Sequence, residues 1–160
     1  MKTSALLFVC LGNICRSPAA EEIMRQVLKR HNADHRVSVD SAGIGSWHVG
    51  QLPDPRMRRH GLRNGYDFSS RARQVTRQDF QRFDLIFAMD EDNFEALSDL
   101  APSGMAKKIR RVSRYLTNHP GQTTIPDPYY GGDAGFQLVI DLLEDACENI
   151  YKALPAEGLL

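Results

Sequence analysis

The sequence predicts an α/β fold, with a parallel sheet covered by helices on both faces. Three observations point there. Short apolar runs that suit buried strands alternate with amphipathic segments of helical period. A Gly-containing loop joins the first such run to the first helical segment. No internal repeat, low-complexity tract or interdomain linker divides the 160 residues, so residues 1–160 read as a single domain with one sizeable core.

The elements follow in chain order. Lys2 to Val9 is an apolar run and reads as a buried strand. Pro18 to His31 is helical, because Ala20, Ile23, Met24, Val27 and Leu28 fall on one face. Ser17 is a good N-cap, and Pro18 suits a first helical position where its missing N–H costs nothing. The alternating stretch HRVSVDSAG predicts a second strand. DPRMRRHGLRNG predicts a helix that starts at Pro55, capped by Asp54, and ends at Gly65. DLIFAMD is a third buried strand, followed by a helix from Glu91 to about Leu100. KKIRRVSRYL holds a short fourth strand. NHPGQTTIPDPYYGGD is a long, turn-rich loop. Asp133 to Leu154 is the last helix, with Phe136, Val139, Ile140, Leu143, Cys147 and Ile150 on its apolar side.

Composition narrows the function. Hydrophobic residues make up 42% and charged residues 25% of the chain, and twenty basic residues balance twenty acidic ones. That neutrality argues against a dedicated nucleic-acid binder. The charge is unevenly spread. Eight arginines lie between Arg56 and Arg82 against only Asp67 and Asp79, and six acids lie between Asp127 and Glu148 with no lysine or arginine. The arginine run is either a field for an anionic substrate or a solvated face. The N-terminal apolar run is too short to span a membrane. Cys10, Cys15 and Cys147 form no disulfide framework, which fits reduced thiols in a cytoplasmic protein. His31, His35, His48, His60 and His119 show no ligand spacing with the cysteines, so no metal site is expected.

The chemistry concentrates in VCLGNICRSPAAEE, at the carboxyl end of the first strand, where open α/β sheets bind ligands. A strand–loop–helix turn gathers backbone N–H groups into a nest, and the helix N-terminus adds about half a positive charge. Together they bind anions, phosphate above all. Leu11, Gly12, Asn13, Ile14 and Cys15 form the turn, with Gly12 expected to let it bend tightly. Arg16 adds a guanidinium able to grip two oxygens of a tetrahedral anion. No G-K-[ST] is present, so this is not a nucleotide-hydrolysing loop. Cys10 stands at the mouth of the nest, where the same groups would stabilise a thiolate. Ser17 either bonds that sulfur or caps the helix, and both roles can hold. Asn13 either ties the loop or simply favours a turn.

The string CLGNICRSP resembles the low-molecular-weight protein tyrosine phosphatases, and the resemblance runs along nearly the whole chain. It includes SAG at Ser41–Gly43, Trp47, PDPR at Pro53–Arg56, ARQ at Ala72–Gln74, MDEDN at Met89–Asn93 and DPYYGG at Asp127–Gly132. It implies a four-stranded parallel sheet and no metal or organic cofactor. It implies Cys10 as nucleophile, Arg16 as phosphate binder and Asp127 as general acid, with Asn13, Ser17 and Ser41 supporting the loop. Taken alone, Asp127 is either a turn-forming Asp-Pro or a proton donor for a phenolate. Trp47, Tyr129 and Tyr130 would wall a slot for a flat ring. Family members often carry a histidine two residues before the ARQ alanine, bracing the loop asparagine; here that place holds Ser70. Asp54 and Asp90 read as structural acids. Cys15 is the expected capture thiol should Cys10 be oxidised, which would make the protein redox-sensitive.

Other readings fit these residues less well. An arsenate reductase on this fold needs a relay of further cysteines, and only Cys147 follows, on an apolar helix face. A protein-arginine phosphatase of the same family carries threonine where this chain has Ile14. A binding module without turnover has no need of Cys10 and Asp127, and C-x4-C is not the usual redox pair. The expected partner is a phosphotyrosine-containing protein or peptide, with a tyrosine kinase among the candidates, and neither nucleic acid nor membrane.

Overall fold

The computed structural model describes residues 3–160. Four strands form one parallel sheet: β1 (Ser4–Cys10), β2 (Val37–Gly43), β3 (Leu85–Ala88) and β4 (Ile109–Arg111), in the order β2-β1-β3-β4. The helices are α1 (Arg16–Arg30), α2 (Pro55–Arg63), α3 (Asp79–Arg82), α4 (Glu91–Leu100) and α5 (Asp133–Ala153), with 3₁₀ turns at Ala106–Lys108 and Val112–Tyr115. The single α/β domain is the one the sequence predicts. Lys2, expected in the first strand, lies outside the described residues.

The period of two along β1 distributes the core. Leu6 and Phe8 point to the face covered by α1, α2 and α5, while Leu7 and Val9 point to the face covered by α3 and α4. All four are fully buried. Phe8 stacks on Phe87 of β3 at 4.9 Å between ring centroids, an arrangement worth about 0.5–1.5 kcal/mol beyond its burial. Burial on both faces explains why β1 and β3 read as continuous apolar runs rather than alternating ones.

Two expectations change, at the start of α1 and at the end of α2, which closes at Arg63 rather than Gly65. Helix α1 begins at Arg16, so Ser17 and Pro18 lie inside its first turn and the cap position falls to Cys15, with no side-chain cap bond. Pro18 is tolerated because first-turn N–H groups lack an intrahelical acceptor anyway. The four-residue α3 and the two 3₁₀ turns are too short to leave a hydrophobic period. The remaining starts hold: Asp54 caps α2 through the Arg56 N–H, and Asp90 caps α4 through the Asn93 N–H.

The strand order reverses beside β1, since β2 lies to one side of it and β3 to the other. The crevice beyond the carboxyl ends of β1 and β3 is the switch point where such sheets take ligands. The β1–α1 loop and Asp90 both lie at that point.

Candidate active site

The β1–α1 loop is held at three backbone positions. Ile44 N–H donates to Cys10 O at 2.9 Å, Gly45 N–H to Leu11 O at 2.9 Å, and Asp54 N–H to Ile14 O at 2.8 Å. The carbonyls therefore face outward to their neighbours. Among the described residues, the N–H groups of residues 11–16 donate to no protein acceptor. That leaves a concave set of free donors around Cys10, suited to an anion.

Asn13 keeps the loop in this shape. Its φ is +58°, a left-handed conformation that asparagine tolerates better than most residues. Its Oδ1 accepts the Arg73 N–H at 2.9 Å, and its Nδ2 donates to Ser17 Oγ at 2.7 Å and Ser41 Oγ at 3.0 Å. The Arg73 N–H can only donate, which fixes the orientation of the Asn13 amide. Ser70, at the place where a family histidine often stands, is not among these partners; a backbone N–H does the bracing. The tight turn expected of Gly12 is made by Asn13 instead. A Cβ at Gly12 would meet the half-exposed His48 ring, 3.1 Å from its Cδ2, a contact that a small shift of that side chain relieves.

The network ends at the sulfur. Ser17 Oγ accepts from Asn13 and lies 3.0 Å from Cys10 Sγ, so its own proton can point at that sulfur or at the more distant Ala42 carbonyl at 3.4 Å, and the Ser17 N–H reaches the sulfur at 3.5 Å. At the other end Ser41 donates to Glu21 Oε1 at 2.5 Å, and Glu21 pairs with Arg25 at 2.5 Å. Burial raises the Glu21 pKa, with Ser41 and Arg25 acting against that rise.

Arg16 is almost fully buried. Its Nη1 donates to Asp90 Oδ2 at 2.7 Å and to Ile125 O at 3.0 Å, and its Nη2 reaches Asp127 Oδ2 at 3.5 Å. Burial works against its charge, but Cys10 and Asp90 outweigh it and hold the guanidinium above its already high pKa. Its Nε is buried with no protein partner. Orphaned buried donors of this kind are rare and costly, and a site for an acceptor is the usual reason for one.

The cleft above the loop is lined by Cys10, Leu11, Gly12, Ile14, Cys15 and Arg16 below, and by Trp47, His48, Asp127, Tyr129 and Tyr130 at its sides. Asn13, Ser17 and Ser41 lie behind it, buried. Tyr129 and Tyr130 meet edge to face at 5.0 Å, and Tyr130 is almost fully exposed. Trp47 lies against Gly45: a Cβ at Gly45 would fall 1.9 Å from the indole Cζ3. The Tyr129 carbonyl accepts from Arg56 at 3.0 Å, which ties this wall to α2. Asp127 Oδ1 accepts the Tyr129 N–H at 3.1 Å. Cys15 is a buried free thiol whose pKa burial pushes up strongly, with Asp54 and Cys10 adding to the rise.

All the residues expected at the site therefore meet there or directly behind it. Sequence reasoning missed His48, Arg56, Arg73 and Glu21, whose positions depend on long-range packing. Asp90 was read as a structural acid, and it is a helix cap that also grips Arg16. Its place at the carboxyl end of β3 was the available clue. Gly43 offers a test of how the loop sits on β2. A Cβ at Gly43 would come 3.0 Å from the Gly12 carbonyl carbon and 3.1 Å from Asn13 N, backbone that yields only if the loop moves. Gly43→Ala is expected to weaken phosphate or vanadate binding about tenfold or more and to lower stability by about 1–3 kcal/mol. Unchanged affinity by calorimetry would show that the loop does not depend on this seat.

Comparison with known proteins agrees with this geometry. A family model described as low molecular weight phosphotyrosine protein phosphatase matches residues 5–159. The low molecular weight phosphotyrosine protein phosphatase of Schizosaccharomyces pombe is 40% identical over 155 residues, covering 96% of this chain and 98% of that protein. A crystal structure of protein tyrosine phosphatase from Entamoeba histolytica, with Hepes in the active site, superposes with a TM-score of 0.95 at 48% identity, over 98% of this chain and all of that one. YfkJ from Bacillus subtilis gives 0.90 at 37% identity, covering 98% of each chain. With sequence and backbone both matched from end to end, this chain belongs to the low molecular weight phosphotyrosine protein phosphatase family.

Proposed function

We propose that this protein hydrolyses phosphotyrosine in proteins or peptides through a phosphocysteine intermediate, with Cys10 as nucleophile, Arg16 as phosphate clamp and Asp127 as general acid and base. The observation that carries this reading is the buried, partnerless Nε of Arg16 beside a loop of N–H groups that also lack acceptors. Oxygens of one phosphate group satisfy both, and hold phosphorus over the sulfur.

In the first step the Cys10 thiolate attacks phosphorus. The S–P bond forms as the P–O bond to the ring breaks, and Asp127 gives its proton to the departing phenolate. In the second step Asp127 takes a proton from water, water attacks phosphorus, and the S–P bond breaks. The N–H nest and Arg16 hold the charge spread over the equatorial oxygens in both steps. Ser17, free to donate to Sγ, stabilises the thiolate when it attacks and when it leaves. Trp47, Tyr129 and Tyr130 accept the phenyl ring. Cys147 is fully buried and packs against the Ala20 carbonyl at 3.9 Å, which counts against an arsenate-reducing relay. Ile14 brings no hydroxyl to the cleft, which counts against a phosphoarginine substrate. No helix among the described residues is long and apolar enough to cross a membrane, and three free thiols suit the reducing cytoplasm.

Cys10→Ser is expected to abolish turnover while vanadate still binds; substantial residual turnover would sink the covalent route. For Asp127→Asn the expected loss is about 10²–10⁴-fold on aryl phosphates with poor leaving groups. That loss should shrink as the leaving-group pKa falls, so an equal loss across a substituted series would assign Asp127 a structural role instead. Peroxide should convert Cys10 to a sulfenic acid, which the Cys15 thiol then condenses with, releasing water. Burial keeps Cys15 protonated, so this capture should be slow. Dithiothreitol is expected to restore most activity in the wild type and much less in Cys15→Ser. Equal recovery, with no Cys10–Cys15 link by mass spectrometry, would reduce Cys15 to packing.

A further inference from the structure

The arginine-rich stretch from Arg56 to Arg82 is only partly absorbed by the architecture. Arg73 pairs with Asp40 and with buried Asp79, and Arg56 pairs with Asp54. Arg71 donates to the Gly50 carbonyl, and Arg82 lies over the Phe83 ring. Arg58, Arg59, Arg63 and Arg77 have no acidic partner and no side-chain hydrogen bond among the described residues. Of these four, Arg58 and Arg59 line one surface groove together with Pro55, Leu62 and Asp67.

The placement of this groove follows from helical spacing. Positions 55, 58, 59 and 62 fall on one side of α2, opposite the buried Met57, His60 and Gly61. The outward stripe thus carries two free guanidinium groups and an exposed leucine, with the single acid Asp67 beside them. The helix starts at the phosphate loop, since Asp54 N–H bonds Ile14 O. Arg56 joins it to the slot wall through the Tyr129 carbonyl and lies 5.4 Å from the Tyr129 ring centroid. With a rise of about 1.5 Å per residue, Arg58 and Arg59 stand within about 6 Å of the helix start along its axis. An extended peptide covers that axial distance in about two residues.

We infer that the α2 groove of Arg58, Arg59 and Leu62 is a substrate-docking surface that selects phosphotyrosine peptides with Asp or Glu a few residues from the phosphotyrosine. The inference rests on the phosphatase reading above and names the substrate class for it. Charge complementarity carries it: two guanidinium groups outnumber the one carboxylate of their groove, Asp67, on the helix whose start is bonded to the phosphate loop. The neighbouring leucine suits the aliphatic part of a glutamate or an adjacent apolar residue.

The test compares phosphotyrosine peptides carrying Asp-Glu, Ala-Ala or Lys-Lys at positions two to four on either side. A small aryl phosphate that cannot reach the groove serves as reference. In the wild type, kcat/KM for the acidic peptides should exceed that for the alanine peptides by about three- to tenfold, the scale of two exposed ion pairs. The preference should fade as ionic strength rises from about 0.01 M to about 1 M and the screening length drops from about 30 Å to about 3 Å. Arg58→Ala with Arg59→Ala should erase the preference and leave aryl phosphate turnover unchanged. The double charge reversal, Arg58→Glu with Arg59→Glu, should turn the preference toward the lysine peptides, which a general loss of folding cannot do. Normal aryl phosphate turnover with equal rates on all three peptides would overturn this inference while sparing the phosphatase reading. Absence of turnover on every substrate would overturn both.

Discussion

Asn13 is the constraint on which the rest of the site depends. A ring of backbone N–H groups with no protein acceptor is an unfavourable arrangement for a folded chain, and it survives only where the surroundings over-determine the loop. Asn13 supplies that through three bonds, each to a different segment: Ser17 on α1, Ser41 on β2 and the backbone of Arg73. The two bonds to serine are buried and the third is partly so; losing a buried one strands a polar atom and costs about 1–3 kcal/mol. The three bonds hold the loop in one shape, and preorganisation is what lets fixed dipoles act on developing charge.

Arg16 adds a second layer of order. The same guanidinium that lines the cleft joins Asp90 at the end of β3, the Ile125 carbonyl and Asp127. Three segments far apart in sequence, α1, the end of β3 and the 125–127 loop, therefore meet on one side chain. Asp90 is engaged twice over, by Arg16 through one oxygen and by the Asn93 N–H of α4 through the other. Asp90 thus sets the direction of the guanidinium from the sheet, and the 125–127 loop meets it twice, through the Ile125 carbonyl at 3.0 Å and through the longer Asp127 contact at 3.5 Å. The contrast suits the roles proposed: the clamp is fixed, and the proton carrier is the more loosely held of the two.

Much of this was legible in the sequence because it is local. The apolar runs of β1 and β3, the caps at Asp54 and Asp90, and the period of α5 each declare themselves within a dozen residues. The loop was legible because cysteine, asparagine and arginine in one strand-to-helix turn have few other physical readings. What escaped was set at long range. The start of α1 is shifted because Ser17 turns its hydroxyl to the sulfur instead of capping. The turn at Asn13, rather than at Gly12, depends on a bond from Arg73, sixty residues along the chain. Nothing adjacent to Glu21 or His48 announces a site; tertiary packing brings them to it. The short α3 and the 3₁₀ turns carry too few residues for any period to show.

The indole of Trp47 is held differently from every other part of the site. No hydrogen bond fixes it among the described residues; it rests against Gly45, whose missing side chain makes the room. The chemical floor and the Trp47 side of the wall are therefore separable. Changes of the Trp47 side chain can reshape which rings enter without touching the polar network that positions Cys10 and Arg16. A lineage, or an engineer, can in this way vary the width of the doorway while leaving the machinery behind it untouched.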